Sequence, residues 1–246
     1  MQFIITVFVS LVVFGVLSAC PDKCSCNTYS FGVFYNCYSK GLEGIPANLS
    51  LDTYSLSLQF NLITQIETAS FENMTLLYQV YLNNNNISVI KEGAFRNLPN
   101  LRYIDLQYNK IMTFRQGWFE NVAAIDTIYL SYNEINLRDD SYANSSVRYL
   151  NLENCKISVV RSGTFINMPR LNTLRLNDNN ISIIEKDAFT NLPMLEYLYL
   201  SGNKMSIIQN RTFSHVPSLV YIYLDNCEIS VIESGAFVNM PRVSVL

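Results

Sequence analysis

The chain repeats itself about every 24 residues. Aligned on the pattern L-x-x-L-x-L-x-x-N-x-I, units begin at Thr53, Leu77, Leu101, Ile125, Val147, Leu171, Leu195 and Leu219, and a ninth starts at Val243. The unit from Ile125 to Ser146 alone departs from the period, with 22 residues and Leu137–Ser146 in place of the usual loop. This periodicity constrains the fold more than any other feature. A single unit cannot bury its own apolar face, so successive units must stack and share one elongated core.

Each part of the unit has a physical reading. The alternation in Ile104-Asp105-Leu106 and Leu198-Tyr199-Leu200 is the two-residue period of a short strand with one buried face. Stacked units then form a parallel sheet on the inner curve. The ninth position is Asn61, Asn85, Asn109, Asn133, Cys155, Asn179, Asn203 and Cys227. Such a column predicts inward side chains satisfying backbone groups left unpaired where the chain leaves the strand. Ten residues further on stand Phe71, Phe95, Phe119, Phe165, Phe189, Phe213 and Phe237, an aromatic spine for the convex side. Trp118 replaces the usual alanine before Phe119 and reads as additional convex packing.

Composition narrows the function. The 17 Lys and Arg against 20 Asp and Glu, a formal charge of −3, provide no surplus of positive charge for a phosphate backbone, so nucleic acid is not an expected partner. The one histidine, His215, rules out a two-histidine zinc site and follows the phenylalanine of its unit on the convex side, away from any nucleophile that the repeat could supply. No catalytic residue, metal or cofactor is expected. Cys155 and Cys227 lie three units apart, about 14 Å at roughly 4.8 Å per strand, beyond the ~7 Å limit for a disulfide. Both read as buried, inert thiols.

The N-terminus indicates the compartment. An apolar run from Phe3 to Leu17, then Ser18 and Ala19 before Cys20, reads as a secretory signal peptide over residues 1–19, although Lys and Arg are missing ahead of it. An uncleaved anchor and a lipid-bearing Cys20 are the alternatives. Cys20, Cys24, Cys26 and Cys37 then crowd together, and dense cysteines in an exported chain imply disulfides more readily than a zinc knuckle. Four cysteines allow three pairings, and spacing alone does not choose among them.

Cys-Pro-Asp-Lys-Cys-Ser-Cys followed by Cys37, together with the repeats, resembles the extracellular leucine-rich repeat proteins of animals, the group of Toll-like receptors, Slit and the variable lymphocyte receptors. The resemblance implies the pairs Cys20–Cys26 and Cys24–Cys37, which leave Cys20 no free thiol for lipid. It also implies an α/β leucine-rich repeat solenoid: a curved horseshoe with a parallel sheet on the concave face and short helical or irregular convex segments. No catalysis, and protein or glycan ligands on the concave face, complete the family expectation. Residues 20–52 are then the cysteine cap, 53–242 eight repeats and 243–246 the start of a truncated ninth. No C-terminal cysteine cap follows, so the chain reads as a fragment, with membrane attachment possible only through a missing C-terminal region.

The third and fifth positions of each unit point out of the sheet. Among Ser55, Ser57, Gln79, Tyr81, Tyr103, Asp105, Thr127, Tyr129, Tyr149, Asn151, Thr173, Arg175, Tyr197, Tyr199, Tyr221 and Tyr223, half are tyrosine and none is aliphatic. Strand preference explains part of that enrichment, but Val, Ile and Phe have the same preference and are missing from these positions. Tyrosine offers a large, stiff, amphipathic contact surface, so a binding face is expected. Tyr197, Tyr199, Tyr221 and Tyr223 should form one patch bordered by Arg175 and Asp225. A smaller cluster of Tyr81, Tyr103 and Tyr129 around Asp105, rimmed by Tyr108 and Tyr132, lies toward the N-terminal end; Tyr149 and Asn151 complete the candidate ligand-binding set. Sequons at Asn48, Asn73, Asn86, Asn144, Asn180 and Asn210 avoid the third, fifth and seventh positions, which would keep glycans off the inner curve. The resulting expectation is a non-catalytic extracellular recognition module, secreted or on the cell surface. A structural matrix protein is the alternative, although the acidic glycans it would hold call for a basic patch that these positions lack.

Overall fold

The computed structural model describes residues 20–137, 146–165 and 168–244. The expected signal peptide, the sequon at Asn144, most of the atypical loop and the last two residues lie outside the described residues.

The cysteine cap opens with an antiparallel hairpin, β1 (Ser25–Tyr29) and β2 (Gly32–Asn36). Gly32 closes it at φ 140, where a Cβ would sit 2.7 Å from Tyr54 Cβ and 2.8 Å from the Asp52 carbonyl oxygen. Only glycine fits that turn. Disulfides Cys20–Cys26 and Cys24–Cys37 tie the hairpin to its flanks, the pairing implied by the family resemblance.

One strand per unit follows: β3 (Thr53–Ser57), β4 (Gln79–Tyr81), β5 (Tyr103–Asp105), β6 (Thr127–Tyr129), β7 (Tyr149–Asn151), β8 (Thr173–Arg175), β9 (Tyr197–Tyr199) and β10 (Tyr221–Tyr223). With the hairpin they form a ten-stranded sheet in chain order, parallel from β2 onward. Like positions pair with like, Tyr103 with Thr127 and Thr127 with Tyr149. The register is unbroken across the 22-residue unit, so its missing residues come out of the loop and not the strand.

The fourth and sixth positions, such as Leu56 and Leu58, Val80 and Leu82, Leu198 and Leu200, point inward and are fully buried. Behind them the asparagine column is a hydrogen-bonded ladder. Asn109 Nδ2 donates to the carbonyls of Leu82 and Leu106 at 3.0 Å, and its Oδ1 accepts from Ile87 N–H at 2.9 Å. Asn85, Asn133, Asn179 and Asn203 repeat the scheme. Cys155 Sγ reaches the Leu130 carbonyl at 3.1 Å and the Glu153 carbonyl at 3.5 Å. The phenylalanines stack in two runs, Phe71–Phe95–Phe119 and Phe165–Phe189–Phe213–Phe237, with centroids 5.2–6.0 Å apart. Trp118 is buried against Phe114 and Phe119.

The convex side has almost no helix. Among the described residues it consists of two-residue parallel pairs, such as Gln65–Ile66 with Val89–Ile90, plus turns and a single 3-10 turn at Gln116–Phe119. Of the helical and irregular forms expected there, the irregular one prevails, and the architecture is a β-solenoid. Left-handed residues explain why: Ala69, Asn97, Asn121, Asp187, Asn191, Arg211 and His215 all have positive φ, which interrupts any run of helical dihedrals.

Candidate functional site

The site is the inner surface of the sheet, and its geometry follows from the register. Third positions align with third and fifth with fifth, so side chains two residues apart on one strand meet their counterparts on the next, roughly 4.8 Å away. At the C-terminal end the four expected tyrosines form one patch. Tyr197 stacks on Tyr221 at 5.1 Å and Tyr199 on Tyr223 at 4.6 Å, while Tyr221 and Tyr223 lie 6.4 Å apart. Arg175 borders the patch with its guanidinium 5.0 Å from the Tyr199 ring centre. Its charge is balanced by Glu153 at 3.2 Å, and Asn177 Oδ1 accepts from its Nε at 3.3 Å. Asp225 is exposed at the edge and accepts from the Ser201 hydroxyl at 2.6 Å.

Toward the N-terminus, Tyr81, Tyr103, Tyr129 and Tyr149 follow one another at 5.1, 5.5 and 5.2 Å, with rings tilted by 44–50°. The Tyr149 hydroxyl also lies close enough to Arg175 to favour its charged form. The two clusters expected from the sequence are therefore one ribbon from Tyr81 to Tyr223, alternating between fifth and third positions up to Arg175, which is its joint. Tyr108 and Tyr132 stack at 4.3 Å at the edge of the face.

Three residues expected at the exposed positions are buried instead: Ser55 (6% exposed), Asp105 (7%) and Asn151 (5%). They lie on the concave face but beneath their neighbours. Asp105 stands in register between Tyr81 and Tyr129, and Asn151 between Tyr129 and Arg175. Each short side chain lies between two long ones that fold over it. The Ser55 hydroxyl accepts from Gln79 Nε2 at 2.9 Å. Burial raises the Asp105 carboxyl above its ordinary value, against two hydrogen bonds from Gln107 that lower it. Burial first, and then the Asp105 charge, raises Tyr81 and Tyr103; Tyr129 is raised by burial, then by Tyr149 and Asp105. All three are neutral phenols in neutral solution.

Of the seventh-position residues the sequence reading included Asp225 but not Gln107, Ser131 and Glu153. They orient Asp105, Gln107 and Arg175 respectively. Their spacing two residues beyond the fifth position, on the same face, is the signal that could have found them.

Of the two thiols expected to be buried, Cys155 is, and burial pushes it up to about 12. Cys227 is only half-buried. His215 is exposed, with Nε2 3.5 Å from Asn239 Nδ2. The sequon asparagines Asn48, Asn73, Asn180 and Asn210 are exposed and Asn86 is half-buried, all off the ribbon. No helix among the described residues is long and apolar enough to cross a membrane.

The leucine rich repeat family model matches residues 53–111, 75–135 and 145–205, more than half the chain. The zebrafish (Danio rerio) leucine-rich repeat-containing protein 3 is 38% identical over 65 residues, 26% of this chain and 24% of that protein. The chain thus spans about a quarter of that relative's length. Human 5T4 (Wnt-activated inhibitory factor 1, trophoblast glycoprotein) superposes with a TM-score of 0.65 at 21% identity, covering 85% of this chain and 81% of that one, and shares the fold. TLR13, solved as a complex with ssRNA13, superposes with a TM-score of 0.65 at 26% identity over 80% of this chain and 28% of that one. A protein of this architecture therefore holds single-stranded RNA, and the expectation of no nucleic-acid partner rests on the charge of this chain alone. Family and relatives together support an interaction module.

Proposed function

The chain belongs to the leucine-rich repeat family, and on that premise we propose that it is a non-catalytic extracellular recognition module that binds a protein ligand on its tyrosine-rich concave face. The observation that carries the reading is the ribbon itself: eight tyrosines and Arg175 in continuous contact across seven strands, half-buried and free of aliphatic side chains. Rings already packed against one another lose little conformational freedom on binding, which is how aromatic surfaces become the energetic centre of an interface. The disulfide-bonded cap suits an oxidising, extracellular compartment. Solvent-exposed His215 on the convex side supports the non-catalytic part of the reading.

The test is capture of ligands by the full chain from an extracellular protein and glycan library, run beside Tyr197/Tyr199/Tyr221/Tyr223→Ala with the fold checked by circular dichroism. Hot-spot tyrosines contribute about 2 kcal/mol or more each, so binding should fall by at least roughly a hundredfold. A ligand retained at full affinity by the folded variant would place recognition elsewhere.

A further inference from the structure

Asp105 carries a charge that its structural role does not need. Its Oδ1 accepts from Gln107 N–H and from Gln107 Nε2, both at 3.1 Å. The same turn off the strand occurs at two other fifth-position sites with a neutral amide. Asn151 Oδ1 accepts from Glu153 N–H at 2.9 Å, and Asn36 Oδ1, in register with Ser57, accepts from Tyr38 N–H at 3.1 Å. Asparagine therefore suffices to build the turn. At Asp105 the chain instead buries a carboxylate, and desolvating a charge is unfavourable unless it gains a partner.

The protein supplies no such partner. Among the described residues no cation pairs with Asp105, and Oδ2 accepts no hydrogen bond. Arg175, the one cation at the third and fifth positions of this face, is engaged by Glu153 and Tyr199. Around the carboxylate the register builds a box. Tyr81 and Tyr129 flank it on neighbouring strands, Tyr103 stands two residues before it and Gln107 two after. The Ser131 hydroxyl, 2.6 Å from Gln107 Oε1, donates to that oxygen and so turns the Gln107 amide nitrogen toward Asp105. The result is a carboxylate at the floor of a cluster of three tyrosines in contact with one another.

We propose that the Tyr81–Tyr103–Tyr129 box over Asp105 is a cation pocket that receives an aliphatic ammonium, a lysine side chain of the protein ligand. This deepens the concave-face reading and rests on it. Cations are held by aromatic faces and by an unpaired carboxylate together, and both are present here. One feature favours lysine over arginine: Oδ1 already accepts two bonds, leaving one oxygen where a guanidinium fork prefers two. The titratable groups facing the carboxylate are the three tyrosines, neutral throughout the acid range, so loss of binding on acidification would report Asp105.

The test uses Nα-acetyl-lysine-N-methylamide as probe, titrated into the full chain while the ring resonances of Tyr81, Tyr103 and Tyr129 are followed by NMR, with the norleucine and arginine analogues as controls. The expected result is saturable binding of the lysine analogue, roughly tenfold or more tighter than norleucine and tighter than arginine, and weakening as pH falls. Asp105→Asn, which keeps the Gln107 bond as Asn151 keeps its own, should remove that preference with the tyrosine resonances otherwise unchanged. Equal binding of lysine and norleucine analogues, no saturable binding, or an undiminished preference in Asp105→Asn would each overturn the proposal. The two readings fail separately. Ligand capture that needs the four C-terminal tyrosines but survives Asp105→Asn undiminished sinks the pocket alone. An ammonium-selective pocket in a protein whose captured ligand ignores the tyrosines sinks the concave-face reading.

Discussion

At the scale of single residues, chemistry the repeat does not require is the best guide to function. Asp105 occupies a position where Asn36 and Asn151 perform the same turn without charge, and its burial raises its pKa. The sign of the linkage follows. With the folded value above the unfolded one, the native state binds the extra proton in the window between them, so stability falls as pH rises through that window. Asp105→Asn is therefore expected to raise the melting temperature at neutral pH, with the difference vanishing below the ordinary carboxylate range; an equal or lower Tm at pH 7 would contradict it. The asparagine column behaves in the opposite way. Asn109→Ala strands the Ile87 N–H, at about 1–3 kcal/mol for that buried donor, and removes one of the two donors to each of the Leu82 and Leu106 carbonyls, which keep Asn85 and Asn133, so chemical denaturation should show a loss of about 2 kcal/mol or more. Asn109→Cys, imitating Cys155, should lose less. The column was legible in the sequence because one residue type recurs at one position. The surplus charge was not, since its meaning depends on what the neighbouring strands place over it.

At the scale of the element, the turn off each strand forces the eighth position into left-handed backbone: φ is 56 at Phe60, 52 at Tyr108, 59 at Tyr132 and 67 at Gly202. Asn84, Asn154, Asp178 and Asn226 suit that conformation, and bulky aromatics do not. Placing Tyr132 there costs about 1–2 kcal/mol, offset by a stack on Tyr108 worth about 0.5–1.5 kcal/mol. Tyr132→Asn should accordingly leave stability within roughly 1 kcal/mol of the parent by denaturant titration. A large loss would show that the pair is held for the fold. The sequence pattern indicated a turn at this position, but the left-handed dihedral that makes these aromatics costly emerges only from the backbone path. The convex segments were the least legible element. The part of each 24-residue unit that follows its eleven-residue motif can hold a helix or an extended path, and only the observed left-handed breaks decide between them.

At the scale of the whole molecule, the solenoid is close to one-dimensional: each unit touches its neighbours, and ends are weak points. The N-terminal end is closed by β1 and β2 and clamped by two disulfides. Reduction should lower stability by about 2–4 kcal/mol, with hydrogen exchange rising first at Val33–Asn36 and then at Thr53–Ser57. Uniform exchange along the array after reduction would refute that order. The repeat, its strand and core positions, the asparagine ladder, the phenylalanine spine and the tyrosines of the inner face can all be read from the residues alone. All of these follow from periodicity, because a residue type recurring at a fixed spacing must meet its own copies when units stack. The joining of two clusters into one ribbon through Tyr149, Arg175 and Tyr199, and the burial of Asp105 and Asn151 beneath it, arise only once the units are packed. Those outcomes depend on how long side chains from adjacent strands lean over short ones, an interaction between units that no single unit encodes.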